Sequence, residues 1–216
     1  MKPHIVTGLM RHMFCSLLVL GFTSFLVGQA AAPALPQPLS PQSAYISSQR
    51  YVNAFFGFSL PLSSKEQFAV SRPAGATNEK AQFLFSTQIM QDSSLGLPKL
   101  GYLVIEITPS ATGSLDDAKG LLTSDHDVHE IKLVQISGKQ FWRTRGEEKT
   151  NVGKMTMCNY ATDMNGYILR FLAVGYSSGI VDQFSKTIEA MTFFDPAKAA
   201  EVAGPNSRPY VAGETP

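Results

Sequence analysis

The stretch Met157-Cys-Asn-Tyr-Ala-Thr-Asp-Met-Asn165-Gly166-Tyr-Ile-Leu-Arg-Phe-Leu-Ala-Val174 decides the reading of the fold. Two β-rich runs flank Asn165-Gly166, and Asn-Gly is the strongest short hairpin signal because a type I′ turn needs positive φ at both central residues. A two-residue loop fixes the register: Met164 faces Tyr167, Ala161 faces Arg170 and Cys158 faces Ala173. One face then carries Cys158, Tyr160, Leu169 and Phe171. The other carries Met157, Asn159, Asp163, Arg170 and Leu172, with Asp163 diagonal to Arg170 and within its reach.

Working outward, Ser137-Gly138 predicts a second hairpin. Its register opposes Leu133 to Trp142 and Ile131 to Thr144, which we read as the core face. The reverse face pairs Val134 with Phe141, Lys132 with Arg143 and Glu130 with Arg145, and is expected to be wet at its open end. Period-two patterning marks further strands at Gly101–Ile107, at Ala81–Met90 with Phe83 and Phe85, and at Ala54–Leu60, closed by Pro61. Ser114-Leu-Asp-Asp117 has the form of a capping box and opens a helix. Ser177 or Ser178 caps a second, whose apolar positions Ile180, Phe184, Ile188 and Met191 form one stripe. Strands, a helix, two hairpins and a helix, without regular βαβ alternation, predict a single α+β domain. Its mainly antiparallel, twisted sheet is flanked by the two helices.

The ends of the chain read differently. Lys2 and Arg11 precede the apolar run Met13–Val27, and small residues follow at Gly28 and Ala30–Ala32. This is the pattern of a cleaved signal peptide over 1–30, cut after Ala30 or Ala31. A membrane span needs about 20 apolar residues, and this run is shorter and interrupted by Ser16, Thr23 and Ser24. No span is therefore expected after cleavage. Pro33, Pro36, Pro38 and Pro41 mark 31–50 as an extended linker. Residues 195–216, with Pro196, Gly204, Pro205, Pro209 and Gly213, read as a flexible tail. The folded unit is placed at 51–194.

Composition excludes whole classes of function. The chain holds 18 basic and 17 acidic residues, a formal charge of +1. Loss of Lys2 and Arg11 with the signal tips that balance to slightly negative, which argues against a nucleic-acid partner. Cys15 leaves with the signal, so Cys158 has no partner for an internal disulfide and is read as a buried small hydrophobe. The chain contains no His-Glu-x-x-His helix, Walker loop or Gly-x-Gly-x-x-Gly fingerprint. No catalytic residue and no cofactor are assigned.

Two clusters remain as candidate sites. Ser124-Asp-His126-Asp127-Val-His129-Glu130 is the densest titratable segment, and His126, Asp127 and His129 are donors suited to a divalent metal. Lys132, Arg143 and Arg145 gather on one hairpin face, where guanidinium forks suit an anion or an acidic partner, with Glu130 opposite Arg145 as an internal partner.

Tyr51-Val-Asn53-Ala-Phe-Phe56-Gly57-Phe58-Ser-Leu-Pro-Leu resembles the opening of PsbP-like domains, the superfamily of the photosystem II extrinsic subunit and the Mog-type Ran-binding proteins. The ending is similar too: Gly166-Tyr-Ile-Leu-Arg-Phe, a helix with Phe184, then Met191-Thr-Phe193-Phe194. The tryptophan that follows the early proline in many relatives is missing from Pro61–Phe68. The resemblance implies a sheet flanked by helices, used in binding or accessory roles, without a shared catalytic centre. Together these readings lead us to expect a secreted or periplasmic, non-enzymatic domain that binds another protein or supports an envelope assembly. The alternatives are a metal-binding protein using His126, Asp127 and His129, and a hydrolase of unrecognised type that would have to recruit one of those histidines.

Overall fold

The computed structural model describes residues 32–63, 67–68, 81–91, 99–124, 128–151 and 153–210. The signal segment 1–30 lies outside them. The chain runs through β1 (Ala44–Ile46), β2 (Arg50–Asn53), β3 (Phe58–Pro61), β4 (Gln67–Phe68), β5 (Gln82–Gln91) and β6 (Lys99–Pro109) to α1 (Leu115–Ser124). It continues through β7 (Val128–Ile136), β8 (Lys139–Thr150), β9 (Gly153–Met164) and β10 (Tyr167–Gly175) to α2 (Ser178–Glu189). Then come β11 (Thr192–Phe193), a 3₁₀ turn at Pro196–Lys198, α3 (Ala199–Ala203) and β12 (Arg208–Tyr210).

Both hairpins close where the sequence places their turns. Asn165 and Gly166 take φ of 54° and 81°, and Ser137 and Gly138 take 47° and 85°, the left-handed pairs a type I′ turn demands. The registers follow: Met164 opposes Tyr167, Ala161 opposes Arg170 and Cys158 opposes Ala173. In the other hairpin Lys132 opposes Arg143 and Leu133 opposes Trp142. The described strands form a seven-stranded sheet, β4-β5-β6-β10-β9-β8-β7, and a five-stranded sheet, β11-β3-β2-β1-β12. All their pairings are antiparallel, giving the α+β class expected.

One apolar layer joins the two sheets. From the large sheet it takes Phe85, Ile105, Phe141, Tyr160, Leu169 and Phe171; from the small sheet, Tyr51, Phe58 and Leu60. The α2 residues Ile180, Phe184 and Ile188, with Met191 just past the helix end, are buried in the same layer. Tyr51 stacks on Phe85 at 4.4 Å between ring centroids, and Phe58 meets Phe171 edge-on at 5.5 Å, geometries aromatic quadrupoles favour. Gly101 and Gly175 are cross-strand partners under the start of α2. A Cβ on Gly101 would run into Ile180 Cγ2, so only glycine lets the helix sit this close. On the opposite face, α1 lays Ala118 and Leu122 over Ala161, Ile168 and Trp142.

The structure corrects several expectations from the sequence. The proposed core face of the β7–β8 hairpin is inverted: Phe141 and Ile136 are buried in the inter-sheet layer, while Leu133 is 45% exposed. The large sheet carries a helix on each face, so both faces are apolar in places and alternation alone could not choose between them. The strand expected over Ala54–Leu60 is a turn at 54–57, after β2 has ended at Asn53, followed by β3 from Phe58. Asn53 Oδ1 accepts from the Phe56 N–H at 2.9 Å, and Gly57 turns the chain with φ 64°. The strand expected over Ala81–Met90 forms, with a bulge that shifts the register between Phe83 and Phe85, leaving Phe85 opposite Ile105 and Phe83 opposite Glu106. The linker and tail are also partly built into the fold. Ala44 pairs with both Asn53 and Tyr210, and α3 packs Ala199 and Ala203 against Val52 and Tyr45. Finally, Asp117 reaches back as a capping acid does, but its carboxylate accepts from Ser110 Oγ and the Thr112 N–H instead of the cap residue's own amide. Those bonds pull its pKa below the ordinary aspartate range.

Arg170 was expected to reach Asp163. Instead its Nη1 donates to Glu106 Oε1 at 3.2 Å, and its Nε and Nη2 donate to Asn159 Oδ1 at 3.0 and 2.8 Å. Glu106 lies directly across the strand pair, whereas Asp163 is only diagonal. Asp163 Oδ2 is left buried with no hydrogen-bond partner among the described residues.

Phe184→Ala empties the middle of the shared layer and should cost about 3–5 kcal/mol, read as a lower urea midpoint at unchanged slope. Arg170→Met leaves the Glu106 carboxylate without its guanidinium partner at a site only 2% exposed, and should cost about 3–5 kcal/mol. Adding Glu106→Leu should recover part of that loss in the same titration.

Candidate functional site

The three cations singled out by the sequence do share a face. Arg143 and Arg145 alternate along β8, and Lys132 lies opposite Arg143 on β7. Because that face is the one α2 crosses, the cations form a ledge beside the helix, continuous with buried Cys158 and Tyr160 on β9. The helix flank brings acids to meet them. Arg145 Nη1 donates to Asp182 Oδ1 at 2.7 Å, and the Tyr160 hydroxyl donates to Glu189 Oε1 at 2.7 Å.

Arg143 points inward, donating from Nε to Cys158 Sγ at 3.3 Å, with its guanidinium carbon 5.7 Å from the Tyr160 ring centroid. Glu130 was expected to pair with Arg145. It pairs with Lys132 at 3.1 Å instead, since the longer Arg145 side chain reaches across to the helix.

The electrostatics follow from these contacts. Burial, then the nearby Cys158, then the hydrogen bond it gives Glu189 push the Tyr160 phenol well above the ordinary tyrosine range, so it stays a donor. For Arg143, burial works to lower the pKa, but the Cys158 contact with Tyr160 and Glu189 nearby outweighs it, and the net direction is upward. The Lys132 ammonium, by hydrogen bond and by charge, holds Glu130 below the usual glutamate range. Each cation on the ledge thus has a protein acceptor. A small anion would have to displace one, whereas a partner that continues the alternation of charge would not.

Beyond the ledge lies the β7 edge. Among the described residues β7 pairs with β8 alone, and it is nine residues long. The other three sheet edges, β4, β11 and β12, are two, two and three residues long. Glu130, Lys132 and Leu133 on β7 are all exposed. On the face opposite the ledge, Leu133 adjoins Trp142, whose ring carries Lys119 Nζ at 4.6 Å from its centroid.

The remaining candidates carry less. His126 and Asp127 lie outside the described residues, as does the side chain of His129. Among the described residues no group of three His, Cys, Asp or Glu side chains converges. An open groove of about 590 Å³ runs between the β1–β2 turn and the loop after α3, past Arg50 and Glu201. The Arg50 guanidinium there donates to Val202 O at 3.0 Å, tying β2 to α3. No described helix is long and apolar enough to cross a membrane. Sequence reasoning missed Asp182 and Glu189; two helical turns apart on α2, beside the Ile180–Phe184–Ile188 stripe, they were legible as an acidic flank.

A double-mutant cycle of Arg145→Ala with Asp182→Ala should give a coupling of about 0.2–1 kcal/mol, as for an exposed pair. Raising the salt to about 1 M should shrink it.

The chain matches no known protein-family model and no curated protein. Among solved structures it is similar to a protein from Bacteroides thetaiotaomicron VPI-5482, with 14% identity and a TM-score of 0.43, over 71% of this chain and 49% of that one. It is also similar to LpqN, involved in cell envelope biogenesis of Mycobacterium tuberculosis, with 11% identity and a TM-score of 0.36, over 70% of this chain and 82% of that one. This chain thus spans about half the length of the first of these structures.

Proposed function

We propose that this protein is an exported, non-catalytic binding domain, secreted or periplasmic, that recruits a protein partner by adding an extended segment to the β7 edge. The observation that carries this reading is β7 itself: a nine-residue strand that, among the described residues, pairs on one side only and runs in unbroken register from Glu130 to Ile136. Proteins commonly blunt sheet edges by keeping them short, because unpaired N–H and C=O groups template further pairing. A long edge bearing alternating charged and apolar side chains suits strand addition, in which backbone bonds give affinity and alternate side chains give specificity. Glu130 and Lys132 would read charge on one face, and Leu133 beside Trp142 would read an apolar residue on the other. The signal-like segment at 1–30 supports export, and the resemblance to PsbP-like domains supports a binding or accessory role.

The test uses a library of extended nine-residue peptides with alternating charged and apolar positions. Bound members should slow amide hydrogen exchange in β7 and leave the opposite edge at β4–β5 unchanged. Leu133→Lys should weaken that binding about tenfold while changing stability by no more than about 0.5 kcal/mol, as for other exposed sites. Binding without protection of β7 would overturn the reading.

A further inference from the structure

The outward side of β7 carries an arrangement of charges that matches itself. Glu130, Ile131 and Lys132 are consecutive, with the acid and the base on the ledge face and Ile131 on the other. Identical chains associate mostly through closed two-fold symmetry. A two-fold axis perpendicular to the sheet brings two β7 strands together antiparallel and keeps each face on its own side. Residues directly opposed then lie on the same face, so the axis must pass through a residue of β7, not between two.

The choice of residue is decided by charge. Centred on Lys132 or on Glu130, like charges would meet head-on, which is destabilising. Centred on Leu133, Lys132 would meet Val134 and Ile131 would meet Gln135, leaving both ions unmatched. Centred on Ile131, Glu130 of each copy opposes Lys132 of the other, and Ile131 meets its own counterpart.

A second observation favours an acid outside Lys132. Within the chain Lys132 holds Glu130 at 3.1 Å but is also the cross-strand neighbour of Arg143, a like-charge pair that costs stability and that a second acid would offset. The second copy's Glu130 would flank Lys132 on its open side, and behind that Glu130 stands the second copy's Arg145. We infer that this protein forms a two-fold dimer by antiparallel pairing of β7 with β7 of a second copy, in the register centred on Ile131. This deepens the proposed use of the β7 edge and rests on it.

Because a bulge interrupts β7 between Val128 and Glu130, pairing in this register is short and buries less than a standard-size interface, which puts the dimer in the weak, reversible class. Sedimentation equilibrium of the purified protein at tens to hundreds of micromolar is the experiment. The wild type should show a concentration-dependent dimer. Glu130→Lys and Lys132→Glu should each raise the dissociation constant about tenfold or more, by placing like charges in both symmetric pairs. The double exchange Glu130→Lys with Lys132→Glu should restore it. An equimolar mixture of the two single variants should form a heterodimer, because both cross-pairs are then of opposite sign. Thermal melting of each variant checks that the fold is retained.

A wild type that stays monomeric across this range overturns the inference, as does a dimer indifferent to the four charge combinations. In either case, retained protection of β7 by extended peptides would leave the edge-binding reading standing, and loss of that protection would remove both.

Discussion

Everything in this molecule hangs on a single dry layer between the large and small sheets, with α2 laid into the same layer. Tyr51 and Phe58 from one side meet Phe85 and Phe171 from the other, and Phe184 and Ile188 fill the space the small sheet does not reach. The layer is possible only because α2 starts directly over the Gly101–Gly175 pair. Raising the helix by the thickness of a methyl group would open a gap along its whole stripe, and dispersion contacts fall off steeply with such a gap. Fixing α2 in turn fixes the ledge, since Asp182 and Glu189 leave the same helix and can meet Arg145 and Tyr160 only at this height.

Local chemistry explains which parts of this were legible in the sequence. The two hairpin registers follow from turn residues that admit one geometry, and Cys158 opposite Ala173 or Lys132 opposite Arg143 needs no knowledge of the rest of the fold. The α2 stripe was legible for the same reason: helical period is a property of the segment. What was not legible depends on segments distant in the chain. Ala44–Ile46 and Arg208–Tyr210 are three-residue strands with no pattern of their own, and they are strands because they find each other. The orientation of the β7–β8 hairpin was misread because Phe141 and Trp142 are both large and apolar, and each face of the sheet has a helix or sheet to cover it. Only the position of α2 distinguishes them.

The candidate site divides along the same line. Register alone placed Lys132, Arg143 and Arg145 together, and register could not say what would face them. The helix supplies Asp182 to Arg145, and the neighbouring strand supplies Cys158 to Arg143, so a cluster that reads as an anion cradle is folded into an ion-paired surface. Arg170 shows the same effect in the interior. Its diagonal neighbour Asp163 was visible in the hairpin sequence, but Glu106 lies on the adjoining strand β6, directly opposite, and takes the guanidinium.

A long unpaired edge is a hazard, and its side chains determine what kind. Uniformly apolar residues would accept any extended segment in any register and lead to open-ended association. On β7 an acid, an apolar residue and a base follow one another, and the rule that opposed residues share a face removes every register in which the two-fold falls between residues. Among those that remain, like-charge encounters penalise the centres on either ion. The charge that makes the edge soluble in the monomer is therefore also what favours the register centred on Ile131, where both ions are matched. Closed two-fold pairing uses the β7 edge of each copy once, so association through that edge ends at two.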